Sequence, residues 1–249
     1  MEENTESLRP HRTMISFGGP TPNFHNAVTR ICKESEKLEF FDNIIGFTDL
    51  DLKKDETFWK MHGAFIENNR RGYGYWLWKS YLTHKVLSTL KENDILIYCD
   101  AGCQMNPHGK ERLMEYVSML NESKHEGVIS FQLPHKEVIF TKKALFTHFS
   151  IDPTNHEFLQ NMATVIIIKK NTHSDNLISE WYQTCCNYDL INDKREEEMN
   201  GFNDHRHDQS VFSMLVHKHG SIQIPDETYF HPNWEQGKKY PFLAKRMRY

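Results

Sequence analysis

Six short apolar runs, each separated from the next by turn residues and a stretch of helical or polar character, set the limits on how this 249-residue chain can fold. They are Thr13 to Phe17, Asn43 to Phe47, Asp94 to Cys99, Gly127 to Gln132, Ala163 to Ile168 and Ser221 to Ile224. DILIYC and ATVIII are nearly unbroken in apolar character, as expected of strands covered on both faces. Asn23–Glu34, Trp76–Leu90, Gly109–Leu120, Asp175–Cys186 and Gln209–His219 carry helical periodicity, with Leu82, Val86, Leu87 and Leu90 on one stripe. Alternating strands and helices predict an α/β fold: one Rossmann-like domain with a mostly parallel central sheet and helices on both faces. That domain is expected over residues 13–249, ending in an irregular tail from Pro225. The polar residues 1–12 read as a disordered leader, and Asp189–His207 as a loop.

Composition excludes several classes of function. Lys plus Arg is 30 against 34 for Asp plus Glu, a net charge of −4. No basic face for nucleic acid or anionic lipid is expected. The five cysteines are an odd number without zinc-ligand spacing, which predicts reduced thiols and a cytoplasmic setting. No apolar run approaches the ~18 residues of a membrane span.

Open α/β sheets bind ligands beyond the carboxyl ends of their strands. Three places there carry chemistry. In DILIYCDAG an apolar strand delivers Asp100 to the sheet edge, and Ala101 and Gly102 leave room above it. A carboxylate so placed can hold Mn²⁺ or Mg²⁺ against substrate phosphates; it can equally cap a turn. In RRGYGYWLWK, Gly72 and Gly74 permit close backbone approach, the aromatics can stack on a base or sugar, and Arg71 and Lys79 can meet phosphate. The plainer reading is that Trp76 and Trp78 are core. In HRHDQS, Asp208 and Gln209 stand where a polar loop enters a helix, and Asp208 can be no more than its N-cap.

Together, RGYGYWLWK, DILIYCDAGC and HDQSVFS resemble the nucleotide-sugar-dependent glycosyltransferases of the GT-A fold. More narrowly they resemble a little-described group in bacteria and large DNA viruses. That group is similar to the retaining family of glycogenin and the lipopolysaccharide galactosyltransferases. The resemblance spans about residues 13–242 and implies a UDP- or GDP-sugar donor and a glycan or other hydroxyl acceptor. It places Phe17 and Gly18 at the nucleoside, Asp100-Ala101-Gly102 at the DxD position, and Gln132 and Gln160 on the acceptor side. Asp208 and Gln209 fall at the reacting carbon. Arg71, Tyr73, Lys79, Lys238 and Lys239 fall on the donor, and His231 becomes a second metal ligand beside Asp100. Gly102 stands where the second DxD acid would be. A nucleotidyltransferase, a nucleotide-sugar hydrolase or a silent nucleotide-sugar-binding module would share much of this pattern.

Overall fold

The computed structural model describes residues 9–154 and 158–247. In chain order the elements are β1 (Arg12–Gly18), α1 (Pro22–Glu36), β2 (Asn43–Thr48), α2 (Asp49–Lys54), α3 (Glu56–Asn68), α4 (Gly72–Tyr75), α5 (Leu77–Leu87), β3 (Ile95–Cys99) and β4 (Gln104–Met105). Then come α6 (Lys110–Glu122), β5 (Val128–Lys136), α7 (Glu137–Phe140), α8 (Lys143–Phe149), β6 (Leu159–Asn161), β7 (Val165–Lys169), α9 (Thr172–Cys185), α10 (Tyr188–Ile191), α11 (His207–His219), β8 (Ile222–Pro225) and β9 (Phe242–Leu243). The leader expected over residues 1–12 lies outside the described residues as far as residue 8. Residues 9–12 are held: Arg9 pairs with Asp42, and Arg12 already belongs to β1.

The sheet has seven strands in the order β2-β1-β3-β7-β5-β6, with β8 also on β5. β1, β2, β3, β5 and β8 run one way, and only β6 and β7 oppose them. The reversal matters for the site. Val165, at the start of β7, pairs with Cys99, at the end of β3, so the chain entering β7 arrives at the edge where β3 delivers Asp100.

Alternate residues of the central strands feed two cores, because successive side chains of a strand point to opposite faces. Leu96, Tyr98, Ile166 and Ile168 pack with Leu82, Val86, Trp181, Phe212 and Leu215 of α5, α9 and α11. Ile95, Ile97, Cys99, Val165 and Ile167 pack with Val28, Ile31, Leu113 and Tyr116 of α1 and α6. Burial on both faces is why DILIYC and ATVIII lack polar alternation.

Local signals extend the sequence reading. The acidic stretch after β2 is α2, capped reciprocally by Thr48 and Asp51. The helix read as Trp76–Leu90 starts at Leu77 instead, because Gly72–Trp76 is a left-handed turn. All five of its residues have positive φ: 57°, 53°, 85°, 53° and 60°. Tyr75 and Trp76 donate N–H to the carbonyls of Arg71 and Gly72. The left-handed region costs an L-residue ~1–2 kcal/mol, so surrounding contacts must hold the three non-glycine members in place. Tyr75 and Trp76 both stack on His207, and Trp78 Nε1 donates to the Gly72 carbonyl. Among the described residues all five cysteines are free thiols, and no helix is long and apolar enough to cross a membrane.

Candidate active site

Asp100 leaves β3 with its N–H donating to the Thr164 carbonyl, 2.9 Å away on the chain entering β7. The turn after it is clamped from below, where Arg30 Nη2 donates to the carbonyls of Ala101 and Cys103 at 2.7 and 2.8 Å. Asp100 Oδ1 accepts the Tyr98 hydroxyl at 2.6 Å. Tyr98 is buried, so its hydroxyl needs a partner within the protein.

The second partner of Asp100 is Lys79. Third in α5 and only 3% exposed, it lies 3.0 Å from Asp100 Oδ1, 3.1 Å from the Ala163 carbonyl and 3.5 Å from Asp208 Oδ2. One buried cation thus serves two carboxylates. Burial alone would lower the Lys79 pKa, but Asp100 and then Asp208 raise it above its ordinary value, so the ammonium stays charged. Asp208 is the less well served. Burial, with Asp100 adding to it and Lys79 opposing, pushes its pKa up to about 7, and its Oδ2 makes no hydrogen bond. Its backbone carbonyl accepts Trp181 Nε1 at 2.9 Å, which fixes the first turn of α11.

Gln209, the next residue, does reach the surface. Its Oε1 accepts the Ala163 N–H at 3.2 Å, and its Nε2 donates to Gln160 Oε1 at 2.9 Å. Gln160 is fully buried and donates in turn to Glu137, which Thr141, Ser213 and His217 also surround. The Gln209 amide therefore has a fixed orientation.

Gln209 and Asp100 open onto a cleft of about 850 Å³, within the range of ligand sites. Gly102, Gln132, Arg206, Asp226, Tyr229 and Arg246 line it with them. Met247 N–H donates to the Gly102 carbonyl at 2.8 Å, so the tail lies across the DAG turn.

The sequence-predicted residues divide accordingly. Asp100, Gly102, Gln132 and Gln209 come together on the cleft surface, with Gln160 behind Gln209. Lys79 and Asp208 lie beneath that surface, turned toward Asp100. Ala101 is buried, and its carbonyl holds Arg30. Phe17 stacks on Trp78 at 3.9 Å and on Tyr73 at 6.4 Å, while Gly18 passes so close to α1 that a Cβ would lie 2.1 Å from the Phe24 carbonyl oxygen. Arg71 is apart from the cleft, engaged by Asp193 and Asp204 at 2.7 Å each. Lys238 is exposed and paired with Glu235, and Lys239 lies over Tyr240. His231 is exposed beside Tyr229, outside the cleft lining. Arg206, Asp226, Tyr229 and Arg246 were not singled out from sequence, because no periodic element carries them to the cleft together.

The residues present do not suit the divalent cation that the resemblance implies. Asp100 is already ion-paired, Gly102 supplies no second acid, and His231 lies off the cleft. Among the described residues, no group of three or more His, Cys, Asp or Glu side chains could hold a metal ion.

No family model matches the chain, and no curated protein matches its sequence. Solved structures do. The chain is similar to a glycosyltransferase involved in the glycosylation of the major capsid of PBCV-1, with a TM-score of 0.50 and 11% identity over 94% of this chain and 92% of that one. The fold is GT-A. Mouse xyloside xylosyltransferase 1 in its apo form superimposes at a TM-score of 0.45 with 13% identity, over 89% of this chain and 87% of that one. The bifunctional glycosyltransferase WbbM does so at 0.48 with 11% identity, over 94% of this chain and 45% of that one.

Proposed function

We propose that this chain transfers a sugar from a nucleoside-diphosphate donor to a hydroxyl acceptor. The observation that carries the reading is the cleft at the carboxyl end of β3, where Asp100 is tied to Lys79 and the fixed amide of Gln209 faces the same space. In the transfer, the bond from the anomeric carbon to the diphosphate oxygen breaks, and its electron pair stays on the diphosphate. The acceptor oxygen bonds to the anomeric carbon, and the acceptor proton passes to the departing diphosphate. Gln209 presents its carbonyl dipole to the oxocarbenium-like centre. Retention is favoured because the member of the Asp208-Gln209 pair at the surface is an amide, which cannot accept the proton. One observation favours inversion instead: Asp226 lines the same cleft, and burial raises its pKa, as suits a general base.

The test is a panel of UDP, GDP, ATP and NAD by thermal shift, followed by turnover of the matching nucleotide sugars with acceptors. Specific binding at about 100-fold over Kd adds ~2.7 kcal/mol of stability. Equal stabilisation by ATP would remove the donor assignment. Nucleotide release at full rate without acceptor would make the protein a hydrolase. The anomeric configuration of the product, read by NMR, assigns retention or inversion, and an inverted product moves the proton acceptor to Asp226.

A further inference from the structure

The cleft that lacks a metal-ligand set is lined by two arginines. Arg206 and Arg246 both line it, and Asp204, the carboxylate whose charge acts most on Arg206, is itself paired with Arg71 and Arg195. Arg206 is held by its face against the Phe140 ring, with Cζ 3.9 Å from the centroid, so its fork of N–H donors is not used up by that contact. Arg246 arrives from the tail, its backbone in the left-handed region at φ 54° and anchored by the bond between Met247 and Gly102. Its Cα stands 3.5 Å from where a Cβ on Gly102 would be. The tail therefore packs against the place a second DxD side chain would leave the backbone.

Both arginines belong to one cleft lining. Burial first, and then the Arg246 charge, pull the Arg206 pKa down, and Asp204 and Glu137 offset this only in part. Like charges facing one cleft are unfavourable where their counter-charges fall short, and a multivalent anion relieves them. The carboxylates of the cleft do not cancel this. Asp100 is matched by Lys79, and Asp226 already uses Oδ1 to accept the Thr228 N–H and hydroxyl.

We infer that Arg206 and Arg246 form the diphosphate site and that the donor binds there without a divalent cation. The inference rests on the proposed function and goes beyond it by replacing the metal with two arginines. They meet the diphosphate oxygens as charge-assisted forks, and the negative charge left by the breaking bond falls on groups already facing them.

Isothermal titration of the full chain with inorganic pyrophosphate, UDP and GDP, each in excess EDTA and again with Mn²⁺ or Mg²⁺, tests this. The expected result is pyrophosphate and nucleotide binding in EDTA, with affinity that falls as salt rises and changes no more than about two-fold on adding metal. Arg246→Ala, at an exposed position where folding is not at stake, should weaken both ligands by about ten-fold or more, the loss of a charge-assisted contact. Arg206→Lys keeps a charge without the fork and should weaken them less. Binding that requires Mn²⁺ or Mg²⁺, or that survives Arg246→Ala unchanged, overturns the inference and leaves the glycosyltransferase reading standing. Absence of nucleotide binding under both conditions overturns both.

Discussion

The two walls of the cleft are built by opposite means. One wall, formed by the end of β3 and the starts of α5 and α11, is a buried charge centre whose members are tied to one another: Lys79, Asp100, Asp208 and, at its surface, Gln209. The other comes from irregular chain after β8 and from the tail. Its polar and aromatic groups, Asp226, Tyr229 and Arg246, face the open space with few ties. The first wall has its geometry set before any ligand arrives, so its residues should answer to mutation mainly through stability. The second wall should answer mainly through affinity.

The largest expected effect is at Lys79. Lys79→Ala leaves two carboxylates without their shared cation, and breaking a buried pair this way costs ~3–5 kcal/mol. Chemical denaturation of Lys79→Ala beside Arg246→Ala checks it: equal midpoints would erase the distinction between the walls. Gly18→Ala comes next. Its new Cβ would meet backbone, the Phe24 carbonyl at 2.1 Å, and overpacking of that kind costs ~1–3 kcal/mol.

Asp208 sharpens the comparison through pH. Its native pKa of about 7 lies above the ordinary carboxyl value of 3.8, so between those limits the folded chain holds a proton that the unfolded chain has released. The stability this contributes is complete below pH ~4 and is lost as pH rises toward 7, by at most ~1.4 kcal/mol per pH unit. Asp208→Asn should remove that slope, so its stability relative to the parent should rise with pH across this window. Parallel stability curves from pH 4 to 8 would show that Asp208 does not titrate there. The smallest effect is expected at Gly102, where an added Cβ finds only ordinary contact with Arg246. Gly102→Ala should stay within ~0.5 kcal/mol of the parent, and a larger loss would mean the tail grips the turn tightly.

The same division explains what the sequence discloses. The strands of the first wall show themselves because each is an apolar run ending in turn residues, so Asp100 could be placed at a sheet edge from DILIYCDAG alone. Gln209 could be placed because HDQS opens a helix. The inward direction of Lys79 could not, since it depends on a left-handed turn that costs free energy locally and is held by His207, more than a hundred residues away in sequence. The second wall is hidden for a different reason. Arg246 is forty residues from Arg206 and shares the cleft with it only because the tail crosses the DAG turn, whereas the more conspicuous Lys238 and Lys239 of that tail lie away from the cleft. Contacts between irregular segments leave no periodic trace.

The reversal of hand at Trp76 has one more consequence. A right-handed helix grows or slides only by recruiting neighbours of its own hand, and Trp76, at φ 60°, is wound the other way. The junction works as a stop on a screw thread. α5 cannot advance by a residue without unwinding the turn before it, so the numbering of its first turn is mechanically indexed. Lys79 is the third residue after the stop, and a slip of one position would rotate it by roughly 100°, one residue's share of a helical turn, out of reach of both carboxylates.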